Sequence, residues 1–221
     1  MSYDALVIAA HPDDAEAQMG GTLAKLSDRG QRILLVDLSD GEPADFADPE
    51  RLCLGMQDRL IADTLEARIE VARLIRLHQP RRLYGMSEAC VHPDHAAAAS
   101  IVRAAAFLAR LGKWDQVPGG ERFAAQEPWA IDRLLFPHCE MEPAWGDGAF
   151  AVDVSDVYDR KRAALACYES IFSTEDRLLA LYEAEDQYYR RLAGVRYAEI
   201  FKAASLPVVD DPTVFAQGIH G

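Results

Sequence analysis

The apolar run Ala5–Ala10, bounded by Asp4 and closed by His11-Pro12-Asp13-Asp14, constrains this chain more than any other feature. A short unbroken apolar run with polar stops at both ends suits a strand buried on both faces, as in a parallel sheet. A proline directly after it, followed by two carboxylates, suits the first turn of a helix. The chain therefore opens as strand, turn, helix. A second run, His92-Pro93-Asp94-His95, repeats that chemistry after another short apolar stretch, Leu83–Met86, and again opens a helical pattern.

The remaining pattern continues the alternation. Residues 14 to 29 read as a helix, with Met19, Leu23 and Leu26 on one face and Gly30 at its stop. Ile33–Leu38 reads as a second buried strand and Arg51–Leu54 as a short third. Residues 64 to 78 are amphipathic through Leu65, Ile69, Ala72 and Ile75, and Leu83–Met86 is the fourth strand. The helix opened by His92–His95 runs to about Leu111. Leu134–Pro137 and Phe150–Val154 read as strands, residues 156 to 170 and 175 to 193 as helices, and Val195–Phe201 as a late strand. The segment 205–221 is punctuated by Pro and Gly and reads as a surface tail of one domain spanning 1–221.

Strands alternating with helices predict an α/β fold with a mostly parallel sheet and helices on both faces. Ligands in such folds sit beyond the carboxyl ends of the strands, where strand order reverses. An order 3-2-1-4-5 would make the first and fourth strands neighbours and bring the two His-Pro-Asp runs into one crevice. One span does not fit. Ser39–Glu50 contains Gly41, Pro43 and Pro49 and has no helical period, yet a parallel crossover needs about 10 to 12 residues including its helix. Either a helix is absent there or the third strand is not parallel to the second.

The chemistry of the two runs is that of a divalent metal site. Catalytic zinc takes three protein ligands and keeps one position open. His11 and Asp14, three apart at a helix start, can face one point, and His95 at the other helix start completes a two-histidine, one-carboxylate set. Zinc, or another divalent metal, would lower the pKa of a water and polarise a carbonyl. Asp13 beside the ligands suits a general base. His92 is placed to act on a developing oxyanion or a leaving amine, with Asp94 holding its imidazole. The reaction this supports is hydrolysis of an amide or ester. A lone His-Pro-Asp at a helix start is usually an N-cap; two of them meeting at a switch point are not. Cys90, two before His92, reads as a fourth ligand or, more simply, as an idle buried thiol. Tyr182, Tyr188, Tyr189 and Tyr197 read as core and helix packing.

Net charge is −13, which disfavours nucleic acid and anionic lipid as partners. Cys53, Cys90, Cys139 and Cys167 form no Cys-x-x-Cys pair and fit the reduced thiols of a cytoplasmic protein. Met1–Asp4 lacks positive charge, the run behind it is short for a signal peptide, and nothing approaches the roughly 20 apolar residues of a membrane span. No Gly-x-Gly-x-x-Gly follows the first strand, which disfavours a dinucleotide enzyme.

His11-Pro12-Asp13-Asp14, Met19-Gly20-Gly21-Thr22, His92-Pro93-Asp94-His95 and Tyr197-Ala198-Glu199 resemble the LmbE-like (PIG-L) zinc-dependent N-acetylglucosaminide deacetylases. Lys161, Ala164, Tyr168, Ser170 and Phe172 look like a further stretch of the same family. The resemblance implies a Rossmann-like three-layer α/β/α fold, in agreement with the alternation above. It implies removal of an acetyl group from an N-acetylglucosamine conjugate. The branch it most resembles is that of bacillithiol synthesis, acting on N-acetylglucosaminyl-malate, and the mycothiol branch, acting on the inositol conjugate, is similar. It makes His11, Asp14 and His95 the metal ligands and Asp13 the base, with His92 and Asp94 assisting. Glu42, Asp58 and Arg59 match positions that face the sugar, and Arg59 could attract a carboxylate on the aglycone. By analogy the protein would be a homo-oligomer, a trimer or hexamer. Family members carry one more helix before the third strand, beginning with a substrate-contacting arginine; here Arg51 is the candidate replacement. Two other readings stand beside this one: a metal-dependent amidase acting on a thiol conjugate or antibiotic precursor, and a non-catalytic binding module.

Overall fold

The computed structural model describes residues 2–40, 51–87, 89–116, 120, 121, 126–138, 148–169, 171, 172, 177–206 and 208. Among them lie β1 (Ala5–Ala9), α1 (Asp14–Asp28), β2 (Ile33–Ser39), β3 (Arg51–Met56), α2 (Leu65–His78) and β4 (Arg82–Tyr84). They are followed by α3 (Pro93–Ala109), β5 (Arg133–Pro137), β6 (Ala149–Asp153), α4 (Tyr158–Leu165), α5 (Arg177–Ala193) and β7 (Ala198–Ala203). The strands form one sheet in the order β3-β2-β1-β4-β5-β7-β6. β3, β2, β1, β4 and β5 pair in parallel, β7 pairs antiparallel with β5, and β6 pairs antiparallel with β7 at the edge.

The order 3-2-1-4-5 expected from the alternation is therefore present, and β1 lies between β2 and β4. β1 is buried along its whole length, which is why its sequence shows no polar alternation. The core centres on β1, β2 and β4, with Val71 to Ile75 of α2 and Ala98 to Ala109 of α3 contributing apolar faces.

Several boundaries differ from the sequence expectation. β3 is parallel to β2, which removes the alternative that it is not. It also continues past Leu54, because Gly55 at φ 65° lets the strand bulge and re-pair Met56 with Ser39. The crossover itself, residues 41–50, lies outside the described residues, and so does Glu42. β4 is only three residues long, and α4 stops at Leu165, where the chain tightens into 3₁₀-type turns such as Tyr168 N–H to Leu165 O. The late strand begins at Ala198 instead of Val195. Tyr189 and Tyr197 are buried as expected, whereas Tyr188 is 61% exposed.

Helix α1 positions the first His-Pro-Asp run and is not regular. Met19 at φ −146°, ψ 22° interrupts it, and the Gly21 and Thr22 N–H groups stand just beyond the break, in the first turn of the part that follows. Both donate to the Glu199 carboxylate from β7, at 2.9 and 2.7 Å. Glu199 is buried, and Lys161 of α4, also buried, lies 3.1 Å from it and 2.8 Å from Asp186 of α5. The interruption thus makes a second helix N-terminus inside α1, and a carboxylate fills it. Glycine is required here by close approach. A Cβ on Gly21 would sit 2.6 Å from Val154 Cβ, and one on Gly20 would sit 3.0 Å from Lys161 Cγ.

A second polar cluster ties β3 to the same helix. The Arg51 guanidinium donates to both carboxylate oxygens of Asp37 on β2, to Glu16 of α1 at 2.8 Å and to the Tyr168 hydroxyl at 2.9 Å. Arg51 is therefore held by the scaffold on three sides. Among the described residues no helix is long and apolar enough to cross a membrane.

Candidate metal centre

His11 leaves the carboxyl end of β1 and His92 caps the helix after β4, so adjacency of those two strands brings the runs together. The Asp14 carboxylate is the hub. One oxygen lies 3.3 Å from His11 Nδ1 and accepts the His11 backbone N–H at 2.9 Å; the other lies 3.1 Å from His95 Nε2. Ligand atoms of His11, Asp14 and His95 all lie within 4.8 Å of one another. A second group, His11, His92 and Asp94, meets the same limit.

The side of His11 facing away from Asp14 is also occupied. Its Nε2 lies 3.2 Å from an Asp94 oxygen and 3.2 Å from an Asp58 oxygen. The Asp94 carboxylate thus sits on His11, not on His92. Its link to His92 runs through the backbone, the Asp94 N–H donating to His92 Nδ1 at 3.2 Å. That bond is the N-cap of α3, with Pro93 at the first helical position. It also fixes a tautomer: with Nδ1 accepting, the His92 proton resides on Nε2. The His92 ring stacks on His95 with centroids 4.7 Å apart and meets His11 edge-on at 5.1 Å.

Asp13 precedes the helix at φ 99°, a conformation that costs a non-glycine residue about 1 to 3 kcal/mol. Its side chain does not cap the helix. Burial, with Asp14 and Glu16 close by, pushes the Asp13 carboxyl up to about 8. Burial works the same way on Asp14, but the hydrogen bonds and charges of His11 and His95 prevail and hold it below the ordinary carboxylate range. Burial would lower His95; its contacts to Asp14 and Cys90 raise it instead, to about 10. Adjacent carboxyls held at opposite ends of the scale are the arrangement expected of a ligand beside a base.

Of the remaining sugar-facing expectations, Asp58 reaches the centre through His11, as above. Arg59 lies at the rim with its side chain 86% exposed, 3.6 Å from Asp58, in a left-handed backbone conformation at φ 65°. Glu42 falls outside the described residues. Cys90 is buried, as its preferred reading has it, but not idle: its Sγ lies 3.2 Å from His95 Nδ1, and it belongs to neither group of converging donors. Its spacing from His95 is the only sequence signal of this contact. The Asp58 contact has no signal in spacing at all.

The chemistry of the donor set fits a metal. Two imidazoles and one carboxylate converge, and the far nitrogen of each imidazole already has a partner, as metal-binding histidines require. The residues suit a divalent ion of the zinc type.

Comparison with known proteins agrees. The profile of the family described as PIG-L: GlcNAc-PI de-N-acetylase matches residues 6–52, the span from β1 into β3 that contains His11, Asp13 and Asp14. The diacetylchitobiose deacetylase of Thermococcus kodakarensis is 26% identical over 230 residues, covering 88% of this chain and 80% of its own length. The crystal structure of the conserved protein TT1542 from Thermus thermophilus superposes with a TM-score of 0.79 at 32% identity, covering 95% of this chain and 98% of that one. The 4-carboxy-2-hydroxymuconate hydratase of Pseudomonas putida KT2440 superposes at 0.72 with 18% identity, covering 96% and 99%. That last likeness is one of fold alone, and it means that the reaction must be read from the site rather than the frame. Frame, donor set and sequence motifs agree: the chain belongs to the LmbE-like (PIG-L) family.

Proposed function

We propose that the protein is a zinc-dependent N-deacetylase that hydrolyses the acetamide of an N-acetylglucosamine conjugate, with N-acetylglucosaminyl-malate as the first candidate. The observation that carries this reading is the convergence of His11, Asp14 and His95 at the carboxyl ends of β1 and β4, with a perturbed carboxyl, Asp13, beside them. When bound, the metal would activate the attacking water and polarise the acetamide carbonyl. His11, Asp14 and His95 hold the ion. Asp13 takes the proton from the water and later passes it to the leaving nitrogen, and its raised pKa suits work near neutral pH. His92 presents Nε2–H to the developing oxyanion, because Nδ1 is committed to the Asp94 N–H. Asp94 and Asp58 hold the far edge of His11. Arg59 at the rim meets a carboxylate on the aglycone, and Glu42 faces the sugar. The protein works as one cytoplasmic domain in a trimer or hexamer.

The test is release of primary amine from N-acetylglucosaminyl-malate, N-acetylglucosaminyl-inositol and diacetylchitobiose by the zinc-loaded protein, with and without a chelator. Chelator-sensitive release, absent in His11→Ala and His95→Ala, is expected. A folded, zinc-loaded protein that releases amine from none of the three overturns the reading in favour of another amide or of binding without turnover.

A further inference from the structure

The two candidate ligand histidines are supported by chemically different groups. His11 faces Asp14 with Nδ1, and its Nε2 lies against two carboxylates, Asp94 and Asp58. His95 faces Asp14 with Nε2, and its Nδ1 lies 3.2 Å from a sulfur, Cys90 Sγ. Cys90 is buried, 8% exposed, five residues ahead of His95 at the approach to α3. A histidine that binds through Nε2 carries its proton on Nδ1, and that N–H needs an acceptor to fix the tautomer and the ring plane. The sulfur lies on the far edge of the ring from the converging donors, so it meets that N–H and not the ion.

We propose that Cys90 is the positioning residue of His95: its sulfur accepts the Nδ1–H, makes Nε2 the donor atom and sets the ring angle. This rests on the metal-site reading above. A thiol is a weaker acceptor than a carboxylate, so His95 is held more softly than His11. The site therefore has one firmly backed and one loosely backed imidazole, and it is His95 whose geometry responds when its partner is changed.

The experiment compares wild type, Cys90→Ala and Cys90→Ser as full chains, with metal-free melting curves to establish folding. Zinc affinity is measured by competition with a chromophoric chelator, and the cobalt-substituted proteins are examined by absorption. Cys90→Ala should weaken zinc about 10-fold, the low end of the range for removing a partner of a ligand histidine. Cys90→Ser should recover most of that loss, since a hydroxyl accepts the same N–H. The wild-type cobalt spectrum should lack a sulfur-to-metal charge-transfer band, and its d–d bands should shift in Cys90→Ala. A zinc affinity for Cys90→Ala equal to wild type, or a serine variant no better than alanine, overturns the proposal. A charge-transfer band in wild type also overturns it and makes Cys90 a ligand. Failure of wild type itself to bind zinc, with His95→Ala unchanged from it, sinks the metal-site reading as well and is distinguishable from the other outcomes.

Discussion

Glu199→Gln tests whether the buried carboxylate on β7 holds the interrupted helix α1. In the native protein the two carboxylate oxygens accept one N–H each, from Gly21 at 2.9 Å and Thr22 at 2.7 Å, and Lys161 lies 3.1 Å away. Glutamine keeps the shape but offers one acceptor oxygen. One N–H is then left buried against an amide NH₂, and the other loses its charged acceptor. A hydrogen bond to a charged group contributes about 1.5 to 3 kcal/mol. Lys161 keeps Asp186 at 2.8 Å, so its charge is not stranded and the full cost of a broken buried pair, about 3 to 5 kcal/mol, does not apply. The expected loss is about 3 kcal/mol, or roughly 6 to 12 °C in Tm at about 2 to 4 °C per kcal/mol for a chain this long. Equilibrium urea unfolding followed by far-UV circular dichroism, with a thermal melt beside it, measures both. A loss below about 1 kcal/mol would refute the argument, because the N–H groups would then find other acceptors without cost.

The same contacts set three more expectations. Asp13→Asn should retain zinc at wild-type stoichiometry while turnover falls at least about 100-fold; near-normal turnover removes Asp13 as the base. Gly21→Ala places a methyl 2.6 Å from Val154 Cβ and should cost about 1 to 3 kcal/mol, and an unchanged melting temperature would show that Val154 and α1 are not in close contact there. Burial and the nearby Glu199 charge prevail over Lys161 and push the Asp186 carboxyl up to about 6. It therefore binds more protons folded than unfolded, and its contribution to stability falls as pH rises from about 4 to about 6. Wild type should gain stability relative to Asp186→Asn as pH is lowered through that window; a flat difference would mean that Asp186 stays ionised throughout.

The parts of this structure that are legible in the sequence are those governed by local pattern. The apolar runs of β1 and β2 are buried on both faces and carry almost no polar alternation, so they stand out. The His-Pro-Asp runs sit at strand-to-helix turns, where proline and carboxylates have local reasons to be, and topology alone then makes β1 and β4 neighbours. Edges are harder to read. β3 has an exposed, mixed pattern and is prolonged by a bulge at Gly55 that sequence reads as a stop. The polar clusters are not legible as clusters. Glu199 and Gly21 are 178 residues apart, and His11 and Asp94 are 83 apart. Spacing along a chain says nothing about which acid will meet which base across a core. Resemblance marks Gly20-Gly21-Thr22, Lys161 and Glu199 as separate family motifs, and only the folded chain, with α1 interrupted at Met19, brings them together.

That interruption has a consequence for the order in which the molecule can be completed. His11, Asp13, Asp14, Asp58, Arg59, His92, Asp94 and His95 all precede the midpoint of α3, yet the carboxylate that receives the N–H groups of α1 arrives only with β7. A growing chain that has already exposed every proposed ligand still lacks the latch on the helix that opens with Asp14 and follows His11. The geometry of the proposed metal site is therefore completed only when β7 joins, the strand that pairs antiparallel with β5 and β6, so synthesis stalled before Glu199 would yield the donors without their rigid support.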